Sequence, residues 1–67
     1  MGVESEFLSP SDVRALTGMS LDALAQLRHR GRGPRFYKPT ERTVLYRRSE
    51  VIAWVETSAR ISTREFA

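Results

Sequence analysis

Basic side chains are concentrated in the middle third of this chain. Eight of its eleven Lys and Arg residues lie between Arg28 and Arg48, together with a single acid, Glu41. That stretch therefore carries a net charge of +7, whereas the rest of the 67-residue chain carries −4. Positive charge segregated in this way is the electrostatic footprint of a surface that binds phosphates. A solvated basic surface without a ligand is the simpler alternative.

Polar side chains share one face of a helix predicted over residues 21–30. Gln26 can pair bidentately with adenine, and His29 and Arg30 can bind guanine or phosphate. Asp22 can accept from cytosine, although an acid in the first turn more often stabilises the positive helix end. Backbone amides after Ser20 are suited to holding a phosphate. The candidate base-reading set is Ser20, Asp22, Ala23, Gln26, His29 and Arg30.

The other basic residues of this stretch are candidates for contacts that do not depend on sequence. Arg42 lies near the tip of a predicted hairpin, and Arg is favoured in narrow, electronegative minor grooves. The others would hold phosphates and set the register on a duplex, although Arg47 and Arg48 can instead pair weakly with Glu50 or Glu56. With about five phosphates neutralised, log affinity should fall with log salt at a slope of about −4.5. This candidate set is Arg28, Arg32, Arg35, Lys38, Arg42, Arg47 and Arg48.

Residues suited to catalysis or metal binding are scarce. His29 is the single histidine, the chain has no Cys, and its acids show no paired spacing suited to acid–base chemistry. A chain of 67 residues also has little room for a substrate pocket. We therefore expect no enzymatic activity and no cofactor.

The remaining composition bears on the compartment. No stretch approaches the ~20 apolar residues of a membrane span, and residues 1–7 lack the apolar run of a signal peptide. The lack of Cys is compatible with a reducing compartment. A sequence pI near 10.2 favours an anionic partner. We expect a cytoplasmic protein that binds nucleic acid and no membrane.

Two short helices are predicted in the first half of the chain. Ser9 is a suitable N-cap, Pro10 suits the first helical position, and Asp12 completes a capping box; Gly18 ends this helix. Ser20 caps the second helix, which ends at Gly31 and Gly33. Leu8 with Val13, and Met19 with Leu24, occupy hydrophobic-staple positions. The short connection around Gly18 matches a helix-turn-helix.

A hairpin and a third helix are predicted next. Residues 35–38 and 43–47 are the strands, with Pro39 presetting the turn between them. Phe36, Val44 and Tyr46 supply a common buried face. The third helix begins at Ser49-Glu50, and its Trp54 is expected in the core. The predicted fold is mainly α with a β-hairpin wing, in the order helix, turn, helix, hairpin, helix.

Several segments in this order resemble the excisionase and AlpA-like group of small winged helix-turn-helix proteins, which are related to the MerR-type DNA-binding domain. They are LSPSDV (8–13), LTGMS (16–20), LRHRGRGP (27–34), VLYRRSEV (44–51) and AW (53–54). The resemblance implies a DNA-binding module without catalysis. Phage excisionases bind repeated attachment-region sites cooperatively, bend the DNA and direct integrase toward excision. Relatives often carry Arg where Leu45 stands, and many have a basic residue in place of Gln26 or Asp22.

Domain limits and alternatives complete the prediction. Residues 1–7 are expected to be a flexible lead, 8–58 the winged helix-turn-helix domain and 59–67 a C-terminal tail. A small transcriptional regulator with the same fold is the alternative function, because a fold defines DNA binding and not its consequence. Self-association on DNA is also expected, through the hairpin or the tail. Ile52, Ile61 and Phe66 are apolar residues that can contact a second protomer or the integrase.

Overall fold

The first helix begins where its capping residues predict. The computed structural model describes residues 6–61. Helix α1 (Pro10–Thr17) follows Ser9, whose Oγ accepts the amide of Asp12 at 3.1 Å while the Asp12 carboxylate accepts the amide of Ser9 at 3.1 Å. Gly18 ends the helix with a φ of 82°. The predicted capping box and stop are both confirmed.

The second helix is similarly bounded. Helix α2 (Leu21–His29) follows Ser20, whose Oγ accepts the amide of Ala23 at 3.0 Å. At the other end, Gly31 adopts a φ of 72°. Its amide donates to the carbonyl oxygen of Arg28, and the amide of Arg32 donates to the carbonyl oxygen of Leu27. This pattern is a Schellman motif, which favours glycine because a Cβ is strained at positive φ. The predicted start and the glycine stop are confirmed, and the helix ends at His29, one residue before its predicted last residue.

The hairpin differs from its prediction at the turn. Strand β2 (Phe36–Thr40) pairs antiparallel with β3 (Thr43–Arg47), with an irregular register between Tyr37 and Thr40. Pro39 therefore lies inside β2, and the turn consists of residues 41–42. The prediction that Pro39 starts the turn is wrong, because an edge strand with a bulge tolerates a residue that lacks an amide hydrogen.

A third strand precedes α1. Strand β1 (Phe7–Leu8) pairs antiparallel with β3, with Phe7 opposite Arg47 and Leu8 opposite Tyr46, so the sheet order is β1-β3-β2. Phe7 thus belongs to the sheet and not to a flexible lead, while residues 1–5 lie outside the described range. Within residues 6–61 the architecture is a mixed α/β arrangement of three helices and three antiparallel strands, which corrects the mainly α prediction.

The third helix and the core complete the fold. Helix α3 (Arg48–Glu56) begins one residue before its predicted start. The core residues share full or near-full burial, and Phe36 and Val44 pack against them as predicted. Trp54 is half-buried, so its predicted core position is wrong, and the largest fully buried side chain is Tyr46. The core consists of Leu8, Val13, Leu24, Tyr46 and Val51.

Candidate nucleic-acid interface

The outer face of α2 carries the predicted base-reading residues. Asp22, Gln26, His29 and Arg30 are all exposed, whereas Leu24 on the other side of the helix is 1% exposed. Positions i, i+4, i+7 and i+8 lie on one side of an α-helix. Burial of the opposite side fixes the direction in which these four side chains point. The structure therefore gathers them on one solvent-facing strip, defined here as the α2 strip.

The two remaining members of the predicted set lie at the start of α2. Ala23 is half-buried, and its amide is bound by Ser20 Oγ. That amide therefore has a protein partner before any phosphate arrives. Ser20 remains exposed beside the α2 strip, and its first role is to cap the helix.

The tip of the hairpin is a second exposed polar region. Lys38, Glu41 and Arg42 are exposed, and the two-residue turn is held by short contacts. Thr40 Oγ1 donates to Thr43 Oγ1 at 2.9 Å and accepts the Arg42 amide at 3.3 Å. These bonds order the backbone of the turn and leave the Arg42 side chain in solvent.

Arg28 differs from the other basic candidates because it is engaged inside the molecule. Its Nη1 donates to the Tyr46 hydroxyl at 2.6 Å, and its guanidinium carbon lies 5.9 Å from the Phe36 ring centroid. The side chain is half-buried, and Tyr46 is fully buried. Arg28 therefore links α2 to the hairpin, a role that the sequence pattern did not predict.

Arg35 and Arg47 are each paired with an acid from a neighbouring segment, Glu50 of α3 and Glu6 before β1, respectively. Arg35 lies 3.7 Å from Glu50, and Arg47 lies 3.8 Å from Glu6 and 4.9 Å from the Phe7 ring centroid. A hydrogen bond with Tyr37 raises the pKa of Arg47 further above its usual value, so this guanidinium stays charged. The expected partner of Arg47 was Glu50 or Glu56, and its observed partner Glu6 belongs to the segment next to β1. Exposed pairs of this kind contribute about 0–1 kcal/mol.

Four of the candidate cations remain available for a polyanion. Within residues 6–61, no acid lies within 4.0 Å of the charged groups of the four, and all of them are exposed. Arg48 differs, since it is half-buried at the first position of α3. Of these four, Arg30 belongs to the α2 strip, whereas Arg32, Lys38 and Arg42 follow it in the sequence.

The outer side of the sheet forms an aromatic surface that was not predicted. Phe7 and Tyr37 meet edge to face with centroids 5.5 Å apart, and the Tyr37 hydroxyl donates to Glu50 at 2.8 Å. Leu45 and Pro39 complete a shallow depression there. The alternation of Leu45 with half-buried Val44 and buried Tyr46 was the sequence signal for this second face. Leu45 therefore packs among these rings.

An apolar groove lies between α1 and α3. It has a volume of about 440 Å³, and Leu16, Ile52 and Val55 are 41%, 39% and 41% exposed along it. Trp54 and Met19 also line it, and none of its lining residues belongs to α2 or the hairpin. Of the predicted contact residues, Ile52 lies here, Ile61 is exposed beyond α3, and Phe66 lies outside the described residues.

Other kinds of site find no support in residues 6–61. No group of three or more His, Asp or Glu residues in that range is placed to hold a metal ion. None of its helices is long and apolar enough to cross a membrane.

Comparison with known proteins gives no family assignment. No protein-family model matches the chain, and no curated protein matches its sequence significantly. The physical features of the α2 strip and the hairpin therefore carry the functional argument.

Proposed function

We propose that this chain binds duplex DNA in a sequence-specific manner, with α1, α2 and the hairpin arranged as a winged helix-turn-helix. The observation that carries the proposal is the α2 strip, an exposed row of base-reading side chains next in sequence to unpaired cations. Nine residues make α2 about 14 Å long, which suits a major groove of ~12 Å width.

Each region has a distinct role in this proposal. Gln26 and Arg30 read base edges in the major groove, since their bidentate geometry discriminates between bases. Arg42 at the hairpin tip contacts a neighbouring minor groove or backbone. Arg32 and Lys38 hold phosphates and fix the register without reading sequence. Arg35 and Arg47 contribute less, because each already faces a carboxylate.

We further propose that the protein acts as a phage excisionase. In this role it binds repeated attachment-region sites cooperatively in the host cytoplasm, bends the DNA and directs the integrase toward excision. The support is the resemblance of the ordered sequence segments to that group. A small transcriptional regulator is the alternative, since the same groups would bind DNA in the same way.

A footprint on DNA adjacent to the gene tests the proposal and separates the two roles. We expect several protected sites beside an integrase attachment region and excision in vitro that requires this chain. Protection over a promoter, with no effect on recombination, would favour the regulator. No protection on any duplex at low salt would reject DNA binding itself.

A further inference from the structure

We propose that Arg28 is a positioning residue that sets the angle between α2 and the hairpin, and that it acts through Tyr46 rather than by contacting DNA. This inference rests on the proposed function of those two elements. The sequence pattern placed Arg28 among phosphate contacts, and the structure gives its guanidinium an internal partner instead.

Arg28 contacts both residues of a cross-strand pair in the sheet. Phe36 and Tyr46 are opposite each other on β2 and β3, with ring centroids 6.5 Å apart. Arg28 donates to the hydroxyl of Tyr46 at 2.6 Å and lies over the ring of Phe36 at 5.9 Å. A planar guanidinium held by a hydrogen bond and a ring face has a restricted orientation. Both strands of the hairpin are therefore connected to one side chain of α2.

Few other polar contacts join α2 to the hairpin, although Leu24 of α2 and Tyr46 share the core. The close neighbour of α2 is α1, whereas its backbone has little direct contact with the hairpin. Among residues 6–61, the Arg28–Tyr46 bond is the one side-chain hydrogen bond that joins α2 to β2 or β3. Loss of this bond should loosen the relative orientation of the two elements while α2 itself stays folded.

The angle matters for specific DNA more than for random DNA. Base reading requires the α2 strip and the hairpin tip to reach their contacts together, within roughly 0.5 Å and 10–20°. Phosphate attraction on random DNA tolerates many registers. A positioning role therefore predicts a loss of discrimination without a loss of counterion release. A direct phosphate contact predicts the opposite.

The decisive variant is Tyr46→Phe, which keeps the buried ring and removes only the acceptor. We expect specific affinity to fall about fivefold to tenfold, with random-DNA affinity and the salt slope unchanged. Arg28→Met should behave in the same way, because its apolar stem is kept. The matched control is Tyr37→Phe, which removes a hydroxyl from the outer side of the same hairpin and should leave discrimination intact. Circular dichroism at the assay temperature verifies that each variant is folded.

The outcomes separate this inference from the proposed function. If wild type discriminates between sites and Tyr46→Phe discriminates equally well, the positioning role is overturned while DNA binding stands. A salt slope that becomes shallower by about one in Arg28→Met would also overturn it, since it would reveal a phosphate contact. Wild type that binds no duplex would reject both proposals together.

Discussion

At the scale of single residues, we propose base reading and backbone contact for different side chains. Gln26→Ala and Arg30→Ala should each change sequence preference, because a bidentate base contact contributes about 1–3 kcal/mol of discrimination. Competition against single-base variants of the site measures this. Arg14→Ala is the matched control, since Arg14 is exposed on α1 and outside the candidate set. Equal losses on specific and random DNA would contradict the assignment.

Arg42 should behave differently from the α2 strip. Arg42→Ala removes an unpaired, exposed cation from the hairpin tip, so it should weaken binding to all sequences and lessen the bend. The salt slope should become shallower by about 0.9, the contribution of one phosphate. Titrations by fluorescence anisotropy and gel mobility of phased sites measure these quantities. A variant whose only defect is at one base position would show that Arg42 reads sequence.

Residue type and spacing predicted the α2 strip but not the interaction partner of every arginine. Exposure of Gln26 and Arg30 follows from helical periodicity, which is a local property. Helical spacing places Arg28 at the edge of the apolar face of α2, but it does not predict the partner Tyr46, which is 18 positions away from Arg28. The pairing of Arg47 with Glu6 likewise depends on the contact between β1 and β3, which no local sequence pattern predicts.

At the scale of elements, the capping side chains should contribute measurably to stability. Ser9→Ala removes the acceptor of the Asp12 amide and should lower the free energy of unfolding by about 1 kcal/mol. Urea unfolding followed by circular dichroism measures the change. Ser11→Ala, at an exposed position inside the same helical turn, is the control and should cost nothing. Equal effects of the two substitutions would show that the capping box does not stabilise the protein.

Helices were easier to predict than strands in this chain. The bounds of α1 and α2 follow from caps and glycines, whose effects act within one turn. The two residues of β1 have no sequence signature, because their strand character comes from pairing with Arg47 and Tyr46 far along the chain. The turn predicted at Pro39 was wrong because the bulge that accommodates this proline forms only when the two strands pair.

At the scale of the whole molecule, charge pairing sets the salt dependence. All seven basic candidates outside the base-reading set would imply a slope of about −6, whereas the three of them that are exposed and unpaired, Arg32, Lys38 and Arg42, imply about −2.7. Anisotropy titrations between 50 and 300 mM KCl (roughly the range in which the effect is linear) measure it. A slope of about −1 or shallower would show that these cations do not face the phosphates.

The central claim is that the α2 strip and the hairpin tip meet the duplex together, on one side of the molecule. Nuclear magnetic resonance of the labelled chain, titrated with a short duplex, tests it most directly. We predict that amide shifts concentrate at residues 20–32 and 38–42, while Leu16, Ile52 and Val55 in the apolar groove stay unperturbed. Shifts centred on that groove, with the α2 strip unchanged, would contradict the account.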